Sequence, residues 1–360
     1  MTYNNDLGVL RELLCRLSEA FGPSGNEGAV RKLIREEIKD AVDSVQVDAM
    51  GNLVAFKAGN AAEPRMRVMA SAHMDEVGLM ITEVSKNGTL SFKAPSVDPR
   101  MLLAKRLVIG ENRVPGIIGA PVPHLQKGDA ASRVVDADEL FIDIGATDEK
   151  GANAKVKVGD FAAFATTFTP LSEDPAWPTV RGKAFDDRAG CAVLVTLLKG
   201  GPYPVDLYGV FTVQEEVGLR GARVAAYRVE PQAAFALEGT ICDDLPRPPD
   251  EDTTPVTRLG DGPAITLMDR SLIAHPGIVR ALQEAAESEG IGVQYKAPGL
   301  GGTDSGAIHL TRAGVPSTAV AVPCRYIHGP ASILNLNDLA ATVGLMDATL
   351  RRITPGHISR

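Results

Sequence analysis

The stretch RAGCAVLVTLLKGGPYPVDLYGVFTVQEE, residues 188–216, decides the fold. Its first half reads as a buried helix, and after the GGPYP break VDLYGVFTV forms an apolar, β-branched and aromatic run that predicts a buried strand, closed by two adjacent glutamates. The alternation continues outward, with a helix near LRGARVAAY, a strand at AAFAL and a helix at PGIVRALQEAAESEG. Strands separated by helices predict an α/β fold with a mostly parallel sheet covered on both faces.

On the other side, RVMASA (67–72) is a further buried-strand candidate that runs directly into His73. Upstream, VDAMGNLVAF looks like a hairpin turning at Gly51-Asn52, and residues 7 to 42 predict two helices. Leu10, Leu13, Leu14 and Leu17 mark the first, and Val30, Leu33, Ile34 and Ile38 the second, on either side of FGPSGNE. From about residue 80 the texture changes. Short β-like runs (LMITEV, RLVIG, GIIGA, ELFIDIGA) alternate with Gly, Pro and Asp turns. We therefore expect a small all-β domain, PDZ-like or barrel-like, at 79–177, inserted into an α/β domain formed by 1–78 and 178–360. RPPDEDTTP at 247–255 reads as a solvated polar loop.

Composition narrows the functional classes. At 360 residues, 44% hydrophobic and 23% charged, the chain is globular, with a soft expectation of two domains. Its 37 basic and 45 acidic residues leave a formal net charge of −8, which repels phosphate backbones and anionic lipid, so nucleic acid and membranes are poor partners. Cys15, Cys191, Cys242 and Cys324 form no CxxC pair and read as core thiols. Without a basic start followed by an apolar run, or a membrane-length apolar stretch, a cytoplasmic location is expected.

Acidic and histidine clusters fall where predicted strands end or helices begin: HMDE at 73–76, Asp186-Asp187, Glu215-Glu216, Glu238 and His328. The carboxyl ends of strands in an open α/β sheet line one crevice, so these distant residues can converge there. A single histidine after a strand is ordinarily a hydrogen-bonded surface residue. The His73-x-Asp75 spacing points further, because a ligating imidazole needs a carboxylate to orient it. Asp186-Asp187 could be no more than a helix N-cap, but two carboxylates exceed what a cap requires. Glu215 and Glu216 beside a buried strand would be costly unless one held a cation and the other took a proton from bound water. Glu238 and His328 are weak alone and gain weight from the combination.

Five motifs, in order, carry a resemblance: His73-x-Asp75, KAFDDR (183–188), QEEVGLRGA (214–222), GGTDSGAIH (301–309) and YIHGP (326–330). Together they resemble the M42 metallo-aminopeptidases, a group including glutamyl and deblocking aminopeptidases. VIGENRVPGIIGAPVPHL (108–125) and FIDIGATDEK (141–150) extend the likeness through the β module, with VPHL where PPHL is usual.

The resemblance implies two divalent ions per subunit, zinc foremost with cobalt or manganese as alternatives, held by His73, Asp186, Glu216, Glu238 and His328. Asp186 would bridge the ions across a cis Asp186-Asp187 peptide, with Asp187 structural. Members usually carry Asp where Glu238 stands, and the longer arm would shift that ion. Glu215 would be the general base, Asp75 would orient His73, and Thr303 and Asp304 would be candidates for substrate contact. The implied reaction is removal of N-terminal residues from short peptides by a water shared between the ions, in a homo-oligomer ranging from dimer to dodecamer. Rival readings are a metal-independent, cellulase-like glycosidase or another amidohydrolase on the same fold, and a non-catalytic scaffold.

Overall fold

The computed structural model describes residues 6–121, 134–246 and 255–359. Most of the RPPDEDTTP loop and the VPHL segment lie outside the described residues.

The chain opens with helices α1 (Leu7–Glu19) and α2 (Gly28–Ile38). Asp6 caps α1 by accepting the Gly8 N–H, and Leu10, Leu13, Leu14 and Leu17 form its buried stripe. The hairpin β1 (Ser44–Val47) and β2 (Leu53–Lys57) follows, then β3 (Arg67–His73). The chain next builds β4 (Leu79–Val84), β5 (Leu90–Lys93), β6 (Arg106–Ile109), β7 (Val114–Gly119), β8 (Phe141–Asp143), the short helix α3 (Glu149–Asn153) and β9 (Phe161–Phe164). These six strands close into a barrel in the order β4-β5-β8-β7-β6-β9, around a core that includes Leu90, Ile109, Ile142 and Phe164. Closure leaves the barrel with no free edge strand.

The chain then returns to the first sheet with β10 (Thr169–Pro170), β11 (Thr179–Gly182), α4 (Phe185–Lys199), β12 (Asp206–Thr212), α5 (Arg220–Val229), β13 (Ala233–Cys242), β14 (Ala264–Ile265) and α6 (Pro276–Glu289). It finishes with β15 (Gln294–Tyr295), α7 (Asp304–Ile308), β16 (Ser317–Arg325), β17 (Ser332–Asn335) and α8 (Leu336–Arg352). The sheet order is β1-β2-β12-β3-β13-β16-β17-β11-β10, with β14 pairing to β16 and β15 to β14. Its centre, β12-β3-β13-β16, is parallel, as the sequence alternation predicts.

Period-two alternation sends the strands' apolar residues to opposite faces. Val68, Ala70 and Ala72 of β3 join the large core with α1, α2, α4, α6 and α8, whereas Met69, Val210 and Ala234 pack under α5 and α7. Both faces are thus covered. α4 lies against β13 because Gly190 permits it: a Cβ there would sit 2.4 Å from the Leu237 carbonyl oxygen.

Candidate functional site

The parallel strands bring their carboxyl ends to one crevice. His73 closes β3, level with Thr212 at the end of β12. Beyond Thr212 the backbone turns through Gln214, whose φ of 56° is left-handed, and delivers Glu215 and Glu216.

Glu238 departs from the expectation that it closes its strand. β13 runs on to Cys242 because β16 pairs with it throughout, whereas pairing to β3 stops at Ala236 opposite Ser71. Glu238 therefore stands two residues past the last β3 pair, in line with His73. Asp186 and Asp187 come from the first turn of α4, where both leave helical geometry and share a cis peptide. His328 enters from the turn after β16 with a φ of 57°.

The seven candidate residues meet. His73 Nε2 lies 3.2 Å from Asp186 Oδ1, 3.7 Å from Glu238 Oε2 and 3.9 Å from Glu215 Oε2. His328 Nε2 lies 3.3 Å from Asp186 Oδ2 and 3.5 Å from Glu216 Oε2. Asp186 thus turns one oxygen toward each imidazole. Asp75 faces the other side of the first ring, with Oδ1 3.4 Å from His73 Nδ1. Its carboxylate also accepts the Glu215 and Glu216 amide N–H groups and the Ser24 hydroxyl, which fixes both glutamates from below.

Asp187 is engaged elsewhere. One oxygen accepts the Gly190 N–H, a helix-cap bond, and the other the His73 N–H. Donor atoms of His73, Asp186 and Glu216 lie within 4.8 Å of one another, as do those of His73, Asp187 and Glu238. Since both Asp187 oxygens already hold backbone amides, we read that residue as support.

Asp75, Asp186, Asp187, Glu215, Glu216, Glu238 and Asp304 put seven carboxylates around two imidazoles. Burial, reinforced by neighbouring carboxylates, holds Glu215, Glu238 and Asp187 well above the usual carboxylate range and lifts Glu216 to about 7, despite the opposing pull of the imidazoles. Desolvation disfavours the imidazolium of His328, but Asp186 and Glu216 outweigh it and raise that ring to about 9. Glu216 Oε1 and Asp304 Oδ1 are buried with no hydrogen-bond partner. Excess negative charge, orphaned oxygens and mixed N/O donors fit divalent cations.

Behind the crevice sits a group the sequence reading missed. Lys183 Nζ donates to both Glu76 oxygens at 2.7 Å, and the fully buried Arg188 donates to the carbonyl oxygens of Leu17, Ala20 and Met74. Lys183 precedes Asp186 by three residues and Glu76 follows His73 by three, so this ion pair ties β3 to α4. The signal was present as charged residues inside the apolar HMDE and KAFDDR surroundings. The barrel also reaches the crevice, where Ser96 Oγ donates to the Glu216 carbonyl oxygen and Thr166 Oγ1 to that of Pro330.

Carboxylate- and imidazole-lined crevices at the carboxyl ends of a parallel sheet are a hydrolase design, and comparison with known proteins places this chain in that class. The model of the M42 glutamyl aminopeptidase family matches residues 51–345, and the chain belongs to that family of aminopeptidases. A putative aminopeptidase of Acetivibrio thermocellus is 38% identical over 336 residues, 93% of this chain and 96% of its own. The TET aminopeptidase of the marine sediment archaeon Thaumarchaeota archaeon SCGC AB-539-E09 superposes with a TM-score of 0.92 at 35% identity, covering 98% of this chain and 99% of that one. The Pyrococcus horikoshii TET1 peptidase, which can assemble into a tetrahedron or a large octahedral shell, does so with a TM-score of 0.83 at 34% identity, covering 96% and 100%.

Proposed function

We propose that the chain is a dinuclear metallo-aminopeptidase that removes N-terminal residues from short peptides, with Glu215 as general base. The observation that carries this reading is the disposition of Asp186, whose two oxygens face two different imidazoles at 3.2 and 3.3 Å. On this reading His73 and Glu238 would hold one cation and His328 and Glu216 the other, with Asp186 available to both. When bound, such ions supply Lewis-acid chemistry, lowering the pKa of a water and polarising the scissile carbonyl.

The chain's own groups do the rest. Burial, with Asp304, Glu216 and Asp186 adding to it against the pull of His73, raises the proton affinity of Glu215, so its oxygen holds a proton readily. It accepts the proton of the attacking water and returns it to the leaving amine. Asp75 keeps the His73 ring and the Glu215 amide in register for that transfer, and the buried crevice limits competing water.

The test is chelation. The protein as purified should cleave aminoacyl-p-nitroanilides, lose that activity in EDTA, and regain it with zinc, cobalt or manganese. Chelator-resistant hydrolysis of a glycoside, with no cleavage of any anilide, would replace this reading with the glycosidase one. The assembly of the Pyrococcus horikoshii TET1 peptidase supports a homo-oligomer for this chain as well.

A further inference from the structure

Asp304 enters the mechanism above only as a charge beside Glu215, yet it is as enclosed as Asp75 and Asp187 and belongs to neither proposed cation ligand set. It is fully buried at the start of α7. Its backbone N–H donates to Glu238 Oε1 at 3.3 Å, and its Oδ2 accepts the Thr212 hydroxyl at 2.5 Å. Thr212 belongs to β12 and Glu238 to β13, the two strands on either side of β3. Asp304 therefore links the end of β12 to the interior of β13, the two strands that flank β3 and His73.

The bond to Glu238 has a directional consequence. With Oε1 held by the Asp304 amide, Oε2 is the oxygen turned toward His73 Nε2. Asp304 Oδ1 has no hydrogen-bond partner, and a buried, half-satisfied carboxylate is costly unless positive charge compensates it.

We propose that Asp304 is a positioning residue for the cation subsite of His73, Asp186 and Glu238: it fixes the rotamer of the long Glu238 side chain and adds negative charge behind it. The inference rests on the metal-dependent reading and concerns only one of the two subsites. The sites formed with His328 and Glu216 are not braced by Asp304.

The experiment titrates apo-protein with zinc and with cobalt, reading ions per subunit by plasma mass spectrometry and cobalt occupancy by visible absorption, alongside kcat and KM. Wild type should bind two ions. Asp304→Asn should weaken one ion, and not the other, by roughly 10- to 100-fold, the range typical of residues that support metal ligands. Thr212→Val, which keeps the charge and removes the hydroxyl donor, should act in the same direction more weakly, and it decides the matter if Asp304→Asn does not fold. A residue of merely structural value would lower the melting temperature and leave both affinities unchanged, and that result, in either folded variant, overturns the proposal. Wild type that binds no divalent ion would instead bring down the metal-dependent reading and this inference with it.

Discussion

Glu215 and Glu216 are neighbours in sequence whose carboxylates face different imidazoles, and the difference originates in the left-handed turn at Gln214, which presents one toward His73 and the other toward His328. Glu215→Gln should lower kcat by about 10²- to 10⁴-fold, the usual contribution of a general base, while metal content by plasma mass spectrometry stays at the wild-type level. At this scale much of the site was legible. His73, Asp186, Glu215, Glu216 and Glu238 each border an apolar run, where an unpaired charge needs a reason to exist. The Lys183–Glu76 pair and the Asp304 bridge were not legible, because they depend on which strands lie side by side. Nothing in the local pattern says that β12 sits against β3.

At the scale of the element, α4 carries Asp186, whose two oxygens face two imidazoles, and must approach β13 closely. Gly190→Ala would place a methyl 2.4 Å from both the Leu237 carbonyl oxygen and Asp187 Oδ1. It should cost about 1–3 kcal/mol in thermal unfolding, as overpacking does, and depress activity further by displacing the first turn. Arg188, whose guanidinium satisfies the end of α1 and the carbonyl behind His73, should cost about 3–5 kcal/mol when changed to Met, because Glu76 loses a neighbouring positive charge and several carbonyls lose their donor. Helices and parallel strands were readable from periodicity. The extension of β13 past Glu238 was not, since it follows from pairing with β16 more than 70 residues downstream, as the Glu238–Ala321 register shows.

Across the whole molecule, stability should carry a pH signature remote from the crevice. Asp338 is buried and accepts the Gly260 and Gly262 N–H groups, and desolvation lifts its carboxyl to about 6 from an ordinary 3.8 despite those bonds. The folded state therefore keeps this proton over a window in which the unfolded chain has lost it. Its contribution to stability declines as pH rises from about 4 through 6. Urea midpoints at pH 4.5 and 7 should differ less in Asp338→Asn than in wild type. Light scattering after size exclusion should give a mass that is a multiple of 38.0 kDa, with dissociation to monomers as the contrary outcome. Among the described residues no helix is long and apolar enough to cross a membrane.

The interleaved order of the sheet has a consequence for how the polypeptide matures. β2 and β3 are consecutive in sequence but separated in space by β12, which is synthesised only after the entire barrel. Such non-local pairing raises contact order, so refolding from denaturant should be slow, with the locally paired barrel acquiring protection ahead of the sheet. Until β12 and β16 dock, the nascent chain presents bare strand edges, and release before residue 317 should yield an aggregation-prone polypeptide rather than a small working enzyme.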